Sequence, residues 1–161
     1  MNAIKMLKQQ HREVEKLFKR FEAAKSGEAR QETFNEIADA LAVHATIEER
    51  HFYPAVKNEQ TEDILLESVE EHLEVKRVIA DLLDMDPDDD EFEAKVKVLQ
   101  ENFEHHVEEE ETQLFPKVER SFGADALEQI GALMEETQEE LKREGNPRDA
   151  IPGETDAAAP L

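Results

Sequence analysis

The stretch His44-Ala45-Thr46-Ile47-Glu48-Glu49 returns later in the chain as His106-Val107-Glu108-Glu109-Glu110-Glu111. In each copy a glutamate follows a histidine by four residues, the spacing that places two side chains on one face of an α-helix. That face is apolar. His44 and Glu48 lie in the stripe Phe34, Ile37, Leu41, His44, Glu48, Phe52, Ala55, and His106 and Glu110 in the stripe Phe92, Val96, Leu99, Phe103, His106, Glu110, Leu114, Val118. Steps of three and four make both segments amphipathic helices whose polar pairs point into a core.

Two more stripes carry one histidine each: Ile4, Leu7, His11, Val14, Phe18, Phe21, broken at Ser26-Gly27, and Leu65, Val69, His72, Val75, Ile79, Leu82, ending at Met85-Asp86-Pro87. The second helix is expected from about Glu28 to Lys57, with Pro54 kinking or stopping it late. Asp86 and Pro87 suit the N-cap and first turn of the fourth helix, which ends near Gly123. His11-Arg12-Glu13-Val14 also matches His72-Leu73-Glu74-Val75, and Pro54 and Pro116 each follow the second histidine of their half by ten residues. The chain therefore repeats itself, which predicts a pseudo-twofold, up-down-up-down four-helix bundle over residues 1–122. Residues 123–144, with Leu127, Ile130, Met134 and Leu141, form an accessory helix. Residues 145–161 hold too little apolar surface to offset their ordering entropy and are expected to be a disordered tail.

An ionised carboxylate buried without a partner is costly, so inward glutamates must be protonated, paired with cations or bound to metal. Lys76 is the only basic residue near the central layer and could serve one glutamate at most. With no cysteine among 161 residues, disulfides and thiolate sites are excluded and only imidazole and carboxylate can hold a metal. Metal coordination satisfies His11, His44, Glu48, His72, His106 and Glu110 together. His105 directly precedes His106 and must point elsewhere, and Glu49, Glu109 and Glu111 are read as solvated. His51 is read as partly exposed or as a polar support, since its repeat counterpart is Gln113.

Composition narrows the rest. Apolar residues make up 39% of the chain, enough for one core, and 41 Asp and Glu against 19 Lys and Arg give a formal charge of −22. Such a charge repels phosphate backbones and anionic lipid, so neither nucleic acid nor a membrane surface is an expected partner. The N-terminus lacks a secretory pattern, and a cytoplasmic protein, monomeric or weakly dimeric, is the expectation.

The order His, HxxxE, His, HxxxE over roughly residues 1 to 120 resembles the hemerythrin-like, or HHE cation-binding, family. The resemblance implies a four-helix bundle with a non-haem di-iron centre that binds or senses oxygen, or handles nitric oxide, peroxide or iron. By it, His11 and His44 ligate one iron, His72 and His106 the other, and Glu48 and Glu110 bridge them, with iron ahead of manganese or zinc. Oxygen-carrying hemerythrins have a second histidine four residues after the third-helix ligand. Here that position is Lys76, so a position at that metal is left for water or a small exogenous ligand, which Lys76 could contact. The repeat equates Lys76 with Glu15, which makes Glu15 a possible additional ligand. The leading expectation is a non-haem di-iron protein that binds or senses oxygen, nitric oxide or peroxide and could act in redox stress; the alternative is a non-enzymatic metal-binding or sensor module that acts through a protein partner.

Overall fold

A computed structural model describes all residues, 1–161. Helix α1 (Ala3–Ala23) starts at Asn2, whose side chain accepts from the Ile4 and Lys5 amides and supplies the first turn with an acceptor for its free donors. Helix α2 (Gly27–Ile47) runs back against α1 after a connection capped by Ser26. It continues through a π-helical turn, Glu48–Phe52, into the short α3 (Tyr53–Val56). Helix α4 (Glu62–Leu83) pairs with α5 (Asp90–Glu109), which passes through a second π turn, Glu110–Leu114, into α6 (Phe115–Ser121). The result is the helical bundle anticipated from the repeat.

The two π turns have one cause. Pro54 and Pro116 lack an N–H, so the carbonyls four residues before them have no helical donor. The backbone widens instead, and the Tyr53 and Phe115 amides donate to the carbonyls of Glu48 and Glu110, five residues back. The sequence anticipates a late kink at Pro54, and the π turn is the form it takes.

Buried apolar side chains fall into two clusters. One, built on Leu7, Ile47, Phe52, Leu65, Phe115 and Val118, fills one end of the bundle, and the other, built on Phe18, Phe34, Ile37, Ile79, Phe92 and Phe103, fills the other. The layer of histidines and glutamates separates them.

Helix α7 (Ala124–Arg143) lies along α1. Gly131 permits the closest part of that contact, since a Cβ there would stand 1.8 Å from the Met1 carbonyl oxygen.

Two expectations need correction. Helix α5 begins at Asp90 and not at Pro87, because Asp86 first closes a turn: its side chain accepts from the Asp88 amide at 2.9 Å and its carbonyl from the Asp89 amide at 3.0 Å. The segment after Gly145 is not a free tail. Pro147–Glu154 form a 3₁₀ helix against α2 and α4, anchored by Ile151, which is 2% exposed. Arg148 donates to Asp39 through its backbone at 3.0 Å and its guanidinium at 2.8 Å, and Arg77 donates to the Thr155 carbonyl at 3.0 Å. Ile151, the partly buried Ala158, Ala159 and Leu161 packed on the other apolar cluster, and fixed polar partners on the bundle hold a segment whose own composition gives no core. No helix is long and apolar enough to cross a membrane.

Candidate metal centre

His11 comes from α1, His44 from α2, His72 from α4 and His106 from α5; Glu48 and Glu110 open the two π turns. All six are buried, the two glutamates completely. The imidazoles form two like pairs. His11 and His44 rings are 4.9 Å apart at 62°, and His72 and His106 rings are 4.8 Å apart at 63°, as the internal repeat requires. The carboxylates lie between the pairs. Glu48 Oε1 is 2.7 Å from His44 Nε2 and 3.4 Å from His72 Nε2, while Glu110 Oε1 is 3.1 Å from His11 Nε2 and 3.2 Å from His106 Nε2.

His11 Nε2 and Glu110 Oε1 are in hydrogen-bond contact, but the His44 and Glu48 atoms leave one another unsatisfied. His44 Nε2 and both Glu48 oxygens are buried without a hydrogen-bond partner, so their lone pairs converge on shared space and not on each other's protons. Orphaned buried donors and acceptors are rare, and a nitrogen–oxygen set of this kind suits a transition metal.

Each imidazole is held from behind through Nδ1. His11 Nδ1 donates to Glu111 Oε1 at 2.9 Å and His72 Nδ1 to Glu49 Oε2 at 2.7 Å, while His106 Nδ1 donates to Glu71 Oε1 at 2.9 Å and His44 Nδ1 to Gln10 Oε1 at 2.7 Å. Gln10 is itself fixed by donating to Gln138 of α7 at 2.7 Å. These partners obey the repeat too, since Glu49 corresponds to Glu111 and Gln10 to Glu71. With the proton on Nδ1 the Nε2 lone pair faces the centre, the arrangement that orients histidine ligands in metal sites and raises their basicity.

A seventh group joins them. Tyr53 is fully buried, and its hydroxyl donates to Glu110 Oε2 at 3.0 Å and lies 3.2 Å from His72 Nε2 and 3.4 Å from His106 Nε2. Its ring stacks on His72 as its repeat counterpart Phe115 stacks on His11. Besides the exchange of Gln10 for Glu71, the two half-sites therefore differ by a hydroxyl, which stands on the His72–His106 side.

Residues 2–118 match the family model described as the hemerythrin HHE cation-binding domain. The chain belongs to this family. The crystal structure of a hemerythrin HHE cation-binding domain-containing protein from Mycobacterium kansasii has the same fold, with a TM-score of 0.76, 94% of this chain and 97% of that one covered, and 24% identity. A protein from Nostoc sp. named as a DNA nickase is 29% identical over 129 residues, 80% of this chain; the chain spans 37% of that relative's length. A cation-binding domain with this buried donor set fits metal binding in the core.

Other residues singled out by sequence lie outside the cluster of the HHE domain. The Glu15 side chain is 37% exposed and pairs with Arg12 at 3.2 Å. Lys76 is buried, but its ammonium is taken by Glu49 at 2.9 Å and Glu154 at 3.0 Å. His51 is partly buried and meets Thr137 of α7 at 2.7 Å. His105 is exposed, 3.3 Å from both Glu71 and Glu109. Glu49 and Glu111 depart from their expected solvated role, because each carboxylate reaches a histidine of the neighbouring helix, and Glu109 keeps one oxygen buried and unpartnered.

In the metal-free HHE domain protons take up the charge. Burial opposes an imidazolium at His44, but the Glu48 and Glu110 carboxylates together outweigh it and raise His44 to about 9. Burial and the nearby Glu110 oppose a charged Glu48, yet His44 and His106 bring it down to about 2. His106 stands well above and Glu110 well below their ordinary ranges through the same mutual attraction, again against burial. Tyr53, buried beside two carboxylates, is pushed well above the usual phenol range.

A pH dependence follows. His44 binds its proton more tightly folded, at about 9, than unfolded, near 6.5, so its contribution is complete below pH 6.5 and lost as pH rises through 9. Glu48, lowered from 4.5 to about 2, contributes above pH 4.5 and loses that contribution as pH falls through 2. Chelated protein is expected to unfold at the highest temperature between pH 4.5 and 6.5 and at progressively lower temperature toward pH 9. Scanning calorimetry across that range checks this, and a midpoint that climbs from pH 6.5 to 9 contradicts it.

Proposed function

We propose that this HHE domain is a non-haem di-iron protein that binds or reacts with a small oxidant or diatomic: oxygen, nitric oxide or peroxide. The observation that carries the reading is the set of four Nε2 atoms, each aimed inward by a bonded Nδ1, around two buried carboxylates, one of which, Glu48, has both oxygens orphaned. His11 and His44 would hold one ion and His72 and His106 the other, with Glu48 and Glu110 between them. Tyr53 would add a phenol oxygen on the second side. When bound, iron in such a centre supplies redox chemistry and open coordination positions for a small molecule.

The chain's own residues provide the rest. Apolar clusters on both sides keep bulk water from the layer. The Tyr53 hydroxyl holds a proton against Glu110, and Lys76 keeps Glu49 charged and in place behind His72. The activity in the Nostoc relative's name belongs to a protein of which this chain spans 37%, and a formal charge of −22 opposes contact with a phosphate backbone.

Elemental analysis of protein purified without chelator tests the reading: about two irons per chain are expected, as in other bundle carboxylate sites. A visible spectrum that responds to peroxide or nitric oxide is the second requirement. Zinc, or a spectrum unmoved by either reagent, would instead favour a structural metal module acting through a protein partner.

Tyr53→Phe supplies a sharper check. A phenol oxygen on ferric iron gives a visible charge-transfer band, so the variant is expected to keep its iron and lose that band. An unchanged spectrum places the hydroxyl outside the coordination sphere.

A further inference from the structure

Between α2, α4 and the C-terminal 3₁₀ helix lies a cavity of about 70 Å³. Its inner wall is His44, His72 and His106, its sides include Ile79 and Phe103, and its outer wall is Ile151 with its neighbours. We infer that residues 147–154 are the removable wall of a small-molecule chamber on the metal centre, and that their contacts with the bundle control what reaches the imidazoles.

This deepens the proposed function and rests on it. Apolar side chains dominate the middle of the chamber, and its volume admits a molecule of a few heavy atoms, since one water needs roughly 10–15 Å³ on this measure. Two cations stand in its wall: Lys76, held by Glu49 and Glu154, and Arg50. By size the chamber selects a small occupant, a diatomic or hydrogen peroxide.

Closure depends on few contacts. Ile151 is the wall's only buried residue, Arg148 ties it to Asp39 at 2.8 Å, and Glu154 ties it to Lys76 at 3.0 Å. The last contact also joins the wall to the centre, because Lys76 holds Glu49, which accepts from His72 Nδ1 at 2.7 Å. Leu141 of α7 and Arg50 also line this side, and Arg77 donates to the Thr155 and Asp156 carbonyls just beyond the wall, but a 3₁₀ segment with one buried apolar anchor and partly exposed polar ties opens far more readily than the core helices.

The test compares full-length, metal-loaded wild type with Ile151→Ala, Arg148→Ala and the conservative Ile151→Leu. Metal content is measured first. Two rates are then followed: removal of metal by a bulky chelator such as bathophenanthroline disulfonate, and nitric oxide binding by stopped flow. Hydrogen exchange over residues 147–156 reports release of the wall. Ile151→Ala and Arg148→Ala are expected to raise both rates by about tenfold with metal content unchanged, as when a local opening limits access, while Ile151→Leu stays near wild type. Exchange showing the wall released with both rates within about twofold of wild type overturns the wall and leaves the metal site standing. A wild type that takes up no metal overturns both readings.

Discussion

Stripping the metal from this protein is expected to lower its unfolding midpoint by roughly 8–16 °C. A ligand present at 1,000 times its dissociation constant, binding only the folded state, stabilises by about 4 kcal/mol. For a chain of this size each kcal/mol moves the midpoint by about 2–4 °C. The gap should shrink as pH falls toward 5.5, because His44 and His106 hold protons tightly and metal must displace them. Calorimetry of loaded and chelated protein at two pH values measures both effects. Equal midpoints at neutral pH would mean that the buried histidines and glutamates pair with one another and bind no metal.

A second large effect is expected from the metal-free protein alone. His106→Ala leaves Glu110, fully buried, without the imidazole that most lowers its proton affinity, and should cost about 3–5 kcal/mol, the usual cost of stranding one partner of a buried ion pair. Replacing both residues by leucine removes the charge and its partner together, and should recover about 2 kcal/mol or more of that loss. Denaturant unfolding of the chelated single and double variants gives the coupling directly. Losses that simply add would show that the pair does not act as a unit. The same double variant is expected to bind no metal, an outcome that would make the residues that cost stability without metal the ones that hold it.

These outcomes turn on residues that the sequence alone makes legible. His11, His44, Glu48, His72, His106 and Glu110 stand in apolar stripes, and a period of 3.6 is enough to turn them inward. The bundle topology follows from the same stripes and their short connections. Tyr53 is not legible in this way. On an unbroken α-helix a residue five after Glu48 is rotated about 140° from it, and only the π turn before Pro54 brings the ring onto His72. The available signal is the aromatic residue before proline in both halves.

The Nδ1 partners escape sequence reasoning for a different reason. Glu49 and Glu111 do point away from Glu48 and Glu110, but the next helix presents a histidine in that direction. Helix-to-helix distances are not encoded in the spacing along one helix. The docked C-terminal segment is hidden similarly, since Asp39, Lys76 and Arg77 are ordinary charged residues until the segment is placed beside them.

The paired π turns also carry a date. A π turn is an α-helix with one residue added, and here the addition falls at the same place in both halves, from the glutamate to the residue before the aromatic. If one ancestral hairpin was copied to make the present chain, the proline that widens the turn was already in it, and the lineage inherited the bulge twice. The tyrosine and phenylalanine that follow the bulge differ, so their divergence came after the copying. The protein would then have begun with two equivalent histidine–glutamate half-sites and later acquired a first and a second.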